Sequence, residues 1–269
     1  ESFAYRFPTL VMCDMLGLQE NEFSDELLTQ LNQAIADTFP VFETRALDTG
    51  ELALANRQME FLTAFFDDLF ERRRAHPRDD LTTALVSARE GDASLSAEEL
   101  STSVIGLFGA GFETTAHMIG NGMYLLGTHP DERAKLAVNP GLAPDATEEI
   151  VRYESSLQAT YRTALADTVV AGQGIAAGDR ILTIVAAANR DRAVFAQPEA
   201  FVIDPRAEKP LTFGGGIHYC VGAELARLEG RVFLEELFSA FPDFEVDAHG
   251  ARLRQAFLFR GFEHLAVSL

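Results

Sequence analysis

The stretch that most limits how this chain folds runs from Ser96 to about Leu126. Apolar residues recur there at helical spacing for well beyond the length of an average helix. Ser96 and Glu99 stand three apart, the spacing of a capping box, and set its start. Residues 100–126 are long enough to span a bilayer. Glu113 and His117 sit near the middle, however, and six glycines lie between Gly106 and Gly127. Ionisable groups at that depth are costly in lipid, so the stretch reads as a buried helix of a soluble protein, with no membrane segment.

The rest of the first half is helical too. Ser24 caps residues 25 to about 38, and residues 51–74 form a long amphipathic run. Phe61, Leu62, Phe65, Phe66, Leu69 and Phe70 supply its apolar stripe. His129-Pro130 ends the long helix, and shorter helices are expected near residues 131–137 and 145–153. Strand character follows at 168–171, with a turn signal at Gly172-Gln-Gly174, and at 178–185, as antiparallel pairing. A further helix begins near Cys220, and residues 244–246 and 258–269 read as closing strands. The expected fold is mainly α with minor β, as one domain. Its parts are a helical region (1–156), a β-rich and loop region (157–220), and a final helix with closing strands (221–269).

Composition narrows the function. The chain has 269 residues, 22 basic against 41 acidic, for a formal charge of −19. That field repels phosphate backbones and anionic lipid, so nucleic acid is not an expected partner. Two cysteines, Cys13 and Cys220, make no disulfide framework, which suits a reducing cytoplasm. Residues 1–6 show neither the basic nor the apolar region of a secretory signal. Cys13 lies in an apolar stretch and reads as core packing.

Three local patterns carry chemistry. The first is Phe213-Gly-Gly-Gly216-Ile-His218-Tyr-Cys220-Val-Gly222, a glycine-dense loop delivering one cysteine to the mouth of a helix. Glycines let backbone turn sharply and approach a flat group closely. The helix dipole, with Glu224 suited to its first turn, favours a thiolate. The plain alternative is a small buried hydrophobe beside a helix.

The second is Ala110-Gly111-Phe112-Glu113-Thr114-Thr115, within the long helix. Gly111 weakens a helix and needs a reason. Thr114 has the spacing to bond the Ala110 carbonyl and open the turn, interrupting the helix. Glu113 is a proton-transfer group and Thr114 a hydroxyl able to orient one. A polar patch satisfied within the helix is the alternative. His117 reads as a hydrogen-bonded packing residue. The third is Glu149-Ile-Val-Arg152, a carboxylate and a guanidinium on one helix face. Taken alone, it reads as a solvated surface pair.

Together these motifs resemble, in order and spacing, those of the cytochrome P-450 family, with similarity from about residue 10 to 269. The resemblance implies haem b held by Cys220 as iron ligand, with Phe213, Gly216, His218 and Gly222 shaping the loop and Ala110 and Gly111 facing the cofactor. It implies that Glu113 and Thr114 serve oxygen activation, and that Glu149 and Arg152 are a structural pair, with Arg206 as candidate third member. Arg162 and His218 match positions that bind the haem propionates. A further histidine often found there is replaced by Pro210. The implied activity is monooxygenation of an apolar small molecule with O2. Ferredoxin and ferredoxin reductase-type donors would supply electrons, and Arg227 and Arg231 are candidates for a local basic patch. Leu107, Ala110, Glu113, residues 157–160 and residues 257–259 are pocket candidates.

The resemblance starts past the family's first helices and strands. It therefore implies a fold incomplete at the N-terminus, an open porphyrin flank and weakened haem retention. Two alternatives stand beside the leading one: a fragment that binds haem weakly or not at all, and a peroxide-using variant, which the Glu113–Thr114 step argues against.

Overall fold

The computed structural model describes residues 3–19, 22–89, 94–205 and 208–269. They form two compact units, Glu1–Ala116 and His117–Leu269.

In the first unit, helices α1 (Arg6–Met15), α2 (Asp25–Thr38), α3 (Thr49–Ala75) and α4 (Leu81–Ser87) join the first part of α5 (Ala97–Thr128). Helix starts follow local capping chemistry. The Ser24 hydroxyl accepts from the Leu27 amide at 3.2 Å, as expected. Ser96 and Glu99 form the reciprocal box, at 2.8 and 3.2 Å. A second box, Asp48 with Glu51, starts α3 two residues before the expected position. The predicted stripe is the core: Leu62, Phe66, Leu69 and Phe70 are buried, and Phe66 packs edge-on against Phe108 at 5.6 Å. Cys13 is 1% exposed, the core role expected of it.

The second unit carries the end of α5 with α6 (Pro130–Val138), α7 (Ala143–Tyr153), the short α8 (Val185–Ala188) and α9 (Ala223–Ala240). Helices α7 and α9 pack closely. A Cβ built on Gly230 would lie 2.5 Å from Thr147 Cγ2, so only glycine lets the two backbones approach this far. The strands are short antiparallel pairs. β2 (Thr168–Val170) pairs with β3 (Gln173–Ile175) around Ala171 and Gly172, both at positive φ. β1 (Ala159–Thr163) pairs with β4 (Arg180–Ile184). This corrects the expected pairing of 168–171 with 178–185. The turn closes one residue earlier and makes a local hairpin, which leaves the longer strand for β1. The closing segments pair as β5 (Glu245–Val246) with β8 (Val267–Ser268) and β6 (Arg252–Leu253) with β7 (Phe262–His264).

No helix among the described residues is long and apolar enough to cross a membrane.

Candidate functional site

The cysteine loop is built from its anchored approach outward. Asn189, 0% exposed, accepts the Leu211 amide on Oδ1 at 2.7 Å and donates to Thr212 Oγ1 at 2.9 Å. Thr212 in turn donates to the Val151 carbonyl of α7 at 2.6 Å. These ties seat the turn Leu211–Phe213 on α7, and nothing in the sequence pattern marked Asn189 or Thr212 for that task. Beyond Phe213 the chain reverses through Gly214 and Gly216, at φ +72° and +62°, a region that β-carbon-bearing residues rarely enter. A Cβ on Gly214 would come within 3.3 Å of the His218 carbonyl, whereas one on Gly215 or Gly216 would meet nothing within 4 Å. The Cys220 amide closes the loop on the Phe213 carbonyl at 2.8 Å.

Helix α9 starts at Ala223, three residues later than expected, because Gly222 takes the N-cap position. The Ala223 amide bonds the Cys220 carbonyl at 3.2 Å. Cys220 is exposed, and so are its apolar neighbours Ile217, at 98%, and Val221, at 87%. The buried-hydrophobe alternative for Cys220 therefore fails. Large apolar side chains this exposed on both sides of a free sulfur fit a flat, largely apolar partner laid against the loop.

His218 is exposed on the same loop, and Arg162 is exposed on β1. Arg162 donates to Thr160 Oγ1 at 3.3 Å and the Tyr161 carbonyl at 2.7 Å, and it forms no ion pair among the described residues. Leu157 and Phe259 form an isolated bridge, and the Gln158 amide bonds the Leu258 carbonyl at 2.8 Å. The two pocket candidates of this unit, 157–160 and 257–259, are thus brought together.

Within the first unit, the Thr114 hydroxyl donates to the Ala110 carbonyl at 2.7 Å, the bond its spacing predicted. The expected interruption is absent: α5 is continuous from Ala97 to Thr128. A carbonyl has two lone pairs and can take the hydroxyl without releasing its helical partner. Glu113 is 0% exposed, and Oε1 accepts the Tyr5 hydroxyl at 3.3 Å. Gly111 also has a packing reason, since a Cβ there would lie 2.3 Å from Met12 Sδ of α1.

The Glu149–Arg152 pair is buried, at 0% and 1% exposure, which excludes the solvated-pair reading. Arg152 donates to both carboxylate oxygens at 2.7 and 2.9 Å. Its other N–H groups reach the carbonyls of Asn189 and Pro198, both at 3.0 Å, and Ala200 at 2.8 Å. All five guanidinium donors are used. Arg206, the candidate third member, lies outside the described residues.

His117, 2% exposed, faces the Arg254 guanidinium across 3.1 Å. Burial first, and then the Arg254 charge, push its pKa down to about 3, so it stays neutral as a packing residue. Of the two residues of the expected basic patch, the Arg227 charge is taken up by Glu148 and Glu224, while Arg231 is exposed.

The family model described as Cytochrome P450 matches residues 11–139 and 142–255. The chain is 36% identical over its whole length to 65% of 6-deoxyerythronolide B hydroxylase of Saccharopolyspora erythraea. It is 35% identical, over 99% of its length, to 64% of vitamin D(3) 25-hydroxylase of Pseudonocardia autotrophica. The chain thus spans about 65% of the length of such relatives. Among solved structures, P450BioI in complex with an acyl carrier protein ligated to hexadec-9Z-enoic acid superposes with a TM-score of 0.90 at 32% identity. That match covers 99% of this chain and 67% of the other.

Proposed function

From the chain's membership of the cytochrome P450 family, we propose that it is a haem-thiolate monooxygenase inserting one oxygen atom of O2 into an apolar small molecule. The family implies haem, and the form proposed here is haem b. Cys220 would hold the iron through its sulfur, while His218 and Arg162 offer cationic or hydrogen-bonding groups to the propionates. Phe213, Gly216 and Gly222 shape the loop, and Ala110 and Gly111 are the α5 positions assigned to face the ring. When bound, haem supplies the iron at which dioxygen is reduced, and a thiolate ligand promotes O–O cleavage.

The observation that carries this reading is the exposed sulfur of Cys220 between Ile217 and Val221. An apolar group laid there removes both side chains from water.

The remaining chemistry belongs to the protein. The Thr114 hydroxyl proton is directed to the Ala110 carbonyl, so Oγ1 acts toward a water as an acceptor that orients it. Glu113, buried and hydrogen-bonded by Tyr5, is the proposed group that holds and passes the proton. Glu149 and Arg152 carry no chemistry. They tie α7 to three backbone carbonyls in the approach to the cysteine loop. Electrons are proposed to come from a ferredoxin-type partner in the cytoplasm.

The test is the carbon-monoxide difference spectrum of the reduced, haem-reconstituted chain. A band at the wavelength that gives the family its name is expected, and Cys220→Ser should abolish it. A histidine-type band in the unaltered chain, or an unchanged band in Cys220→Ser, overturns the assignment of the ligand.

A further inference from the structure

Residues 215–221 are all exposed, so little side-chain packing fixes the direction of the Cys220 sulfur. One side chain of α9 reaches back over both ends of this loop. The Arg227 guanidinium lies over the Phe213 ring, its carbon 4.5 Å from the centroid. Its NH1 donates to the Tyr219 hydroxyl at 2.9 Å and to Glu224 at 2.8 Å, and its Nε donates to Glu148 of α7.

Both loop residues it holds act directly on Cys220. Tyr219 is joined to Cys220 by the peptide bond, and the Phe213 carbonyl receives the Cys220 amide at 2.8 Å. Glu148 gives the clamp a firm base, because it adjoins the buried Glu149–Arg152 network of the same helix.

We propose that Arg227 is a positioning residue for Cys220: stacked on Phe213, bonded to Tyr219 and anchored on Glu148, it sets the direction in which the loop presents the sulfur.

The proposal rests on the assignment of Cys220 as the haem ligand and deepens it. The action is one of orientation rather than charge. Glu148 and Glu224 both pair with Arg227, so the cluster brings no net positive field to the sulfur. The partner that counts is Glu148, whose side chain is 24% exposed against 85% for Glu224. Covering a ring while forking two donors needs a planar guanidinium, and an ammonium lacks that geometry.

The experiment uses the haem-reconstituted chain and its Arg227→Gln, Arg227→Lys and Tyr219→Phe variants. The readouts are the thiolate band of the reduced carbon-monoxide complex, the midpoint potential and far-UV circular dichroism. In both Arg227 variants the ratio of molecules lacking the thiolate band to those showing it should rise roughly tenfold, the size set by one charge-assisted hydrogen bond. Helix content should not change. Tyr219→Phe should shift the ratio and the potential in the same direction by less. A full band with an unmoved potential in Arg227→Gln refutes the clamp. Complete rescue by Arg227→Lys refutes it equally, since charge alone would then suffice. Should Arg227→Gln lose its helix content, Tyr219→Phe decides: a shift supports the clamp and no shift overturns it. If the unaltered chain itself shows no thiolate band, the ligand assignment fails, and the clamp fails with it.

Discussion

Replacing Arg152 by leucine is the most demanding test of how the cysteine loop is supported. The substitution removes a two-pronged contact from a carboxylate that is 0% exposed. It also takes the donors from the carbonyls of Asn189, Pro198 and Ala200. Breaking a buried ion pair on one side costs about 3–5 kcal/mol. Three carbonyls deprived of their donors add about 1 kcal/mol each. The combined loss of about 6–8 kcal/mol rivals the whole stability of a typical domain, about 5–15 kcal/mol. Urea titration followed by far-UV circular dichroism should therefore find Arg152→Leu unfolded, or nearly so, in buffer. The double change Glu149→Gln with Arg152→Leu removes the stranded charge and should recover about 3 kcal/mol. A loss below about 1 kcal/mol in the single variant, the size of a solvated pair, would refute the reasoning. So would a double variant no more stable than the single one.

Other predictions are smaller. Gly111→Ala should lower the melting temperature, because crowding against Met12 costs about 1–3 kcal/mol while the helix preference for alanine returns only about 1 kcal/mol. A higher melting temperature would show that Met12 swings clear. His117 titrates near its ordinary 6.5 when unfolded but at about 3 when folded. Between those values the unfolded chain binds the extra proton, so His117 stabilises the fold above about pH 6.5 and loses that contribution as pH falls toward 3. The slope is about 1.4 kcal/mol per pH unit for this one group. Melts at pH 5 and 6 should show this slope reduced in His117→Asn; an equal slope in both proteins excludes the buried neutral histidine.

What could be read beforehand was what lies close along the chain. Ser24 and the Ser96–Glu99 box announced their helices because a cap needs only neighbours, and the Thr114 bond to Ala110 spans a single turn. Asp48 was missed for a local reason of its own. Gly50 in the first turn argues against a helix, and the capping box overrides it. Pairing between β1 and β4 was hidden because its register is set by segments a hairpin apart. In the site, the spacing of Glu149 and Arg152 was visible but their burial was not. The other three acceptors of Arg152 are main-chain carbonyls, and a carbonyl leaves no residue type to read. The clamp at Arg227 was misread as a basic patch because its partner Glu148 comes from a different helix.

The contrast between the two cysteines has a practical consequence. Burial pushes the Cys13 thiol up to about 12, with the side chain 1% exposed, whereas Cys220 stands in the open. A thiol-directed dye added to the ligand-free chain should therefore couple in a one-to-one ratio, at one address. Occupancy of the loop can then be followed as lost labelling, with no need to mutate any other sulfur.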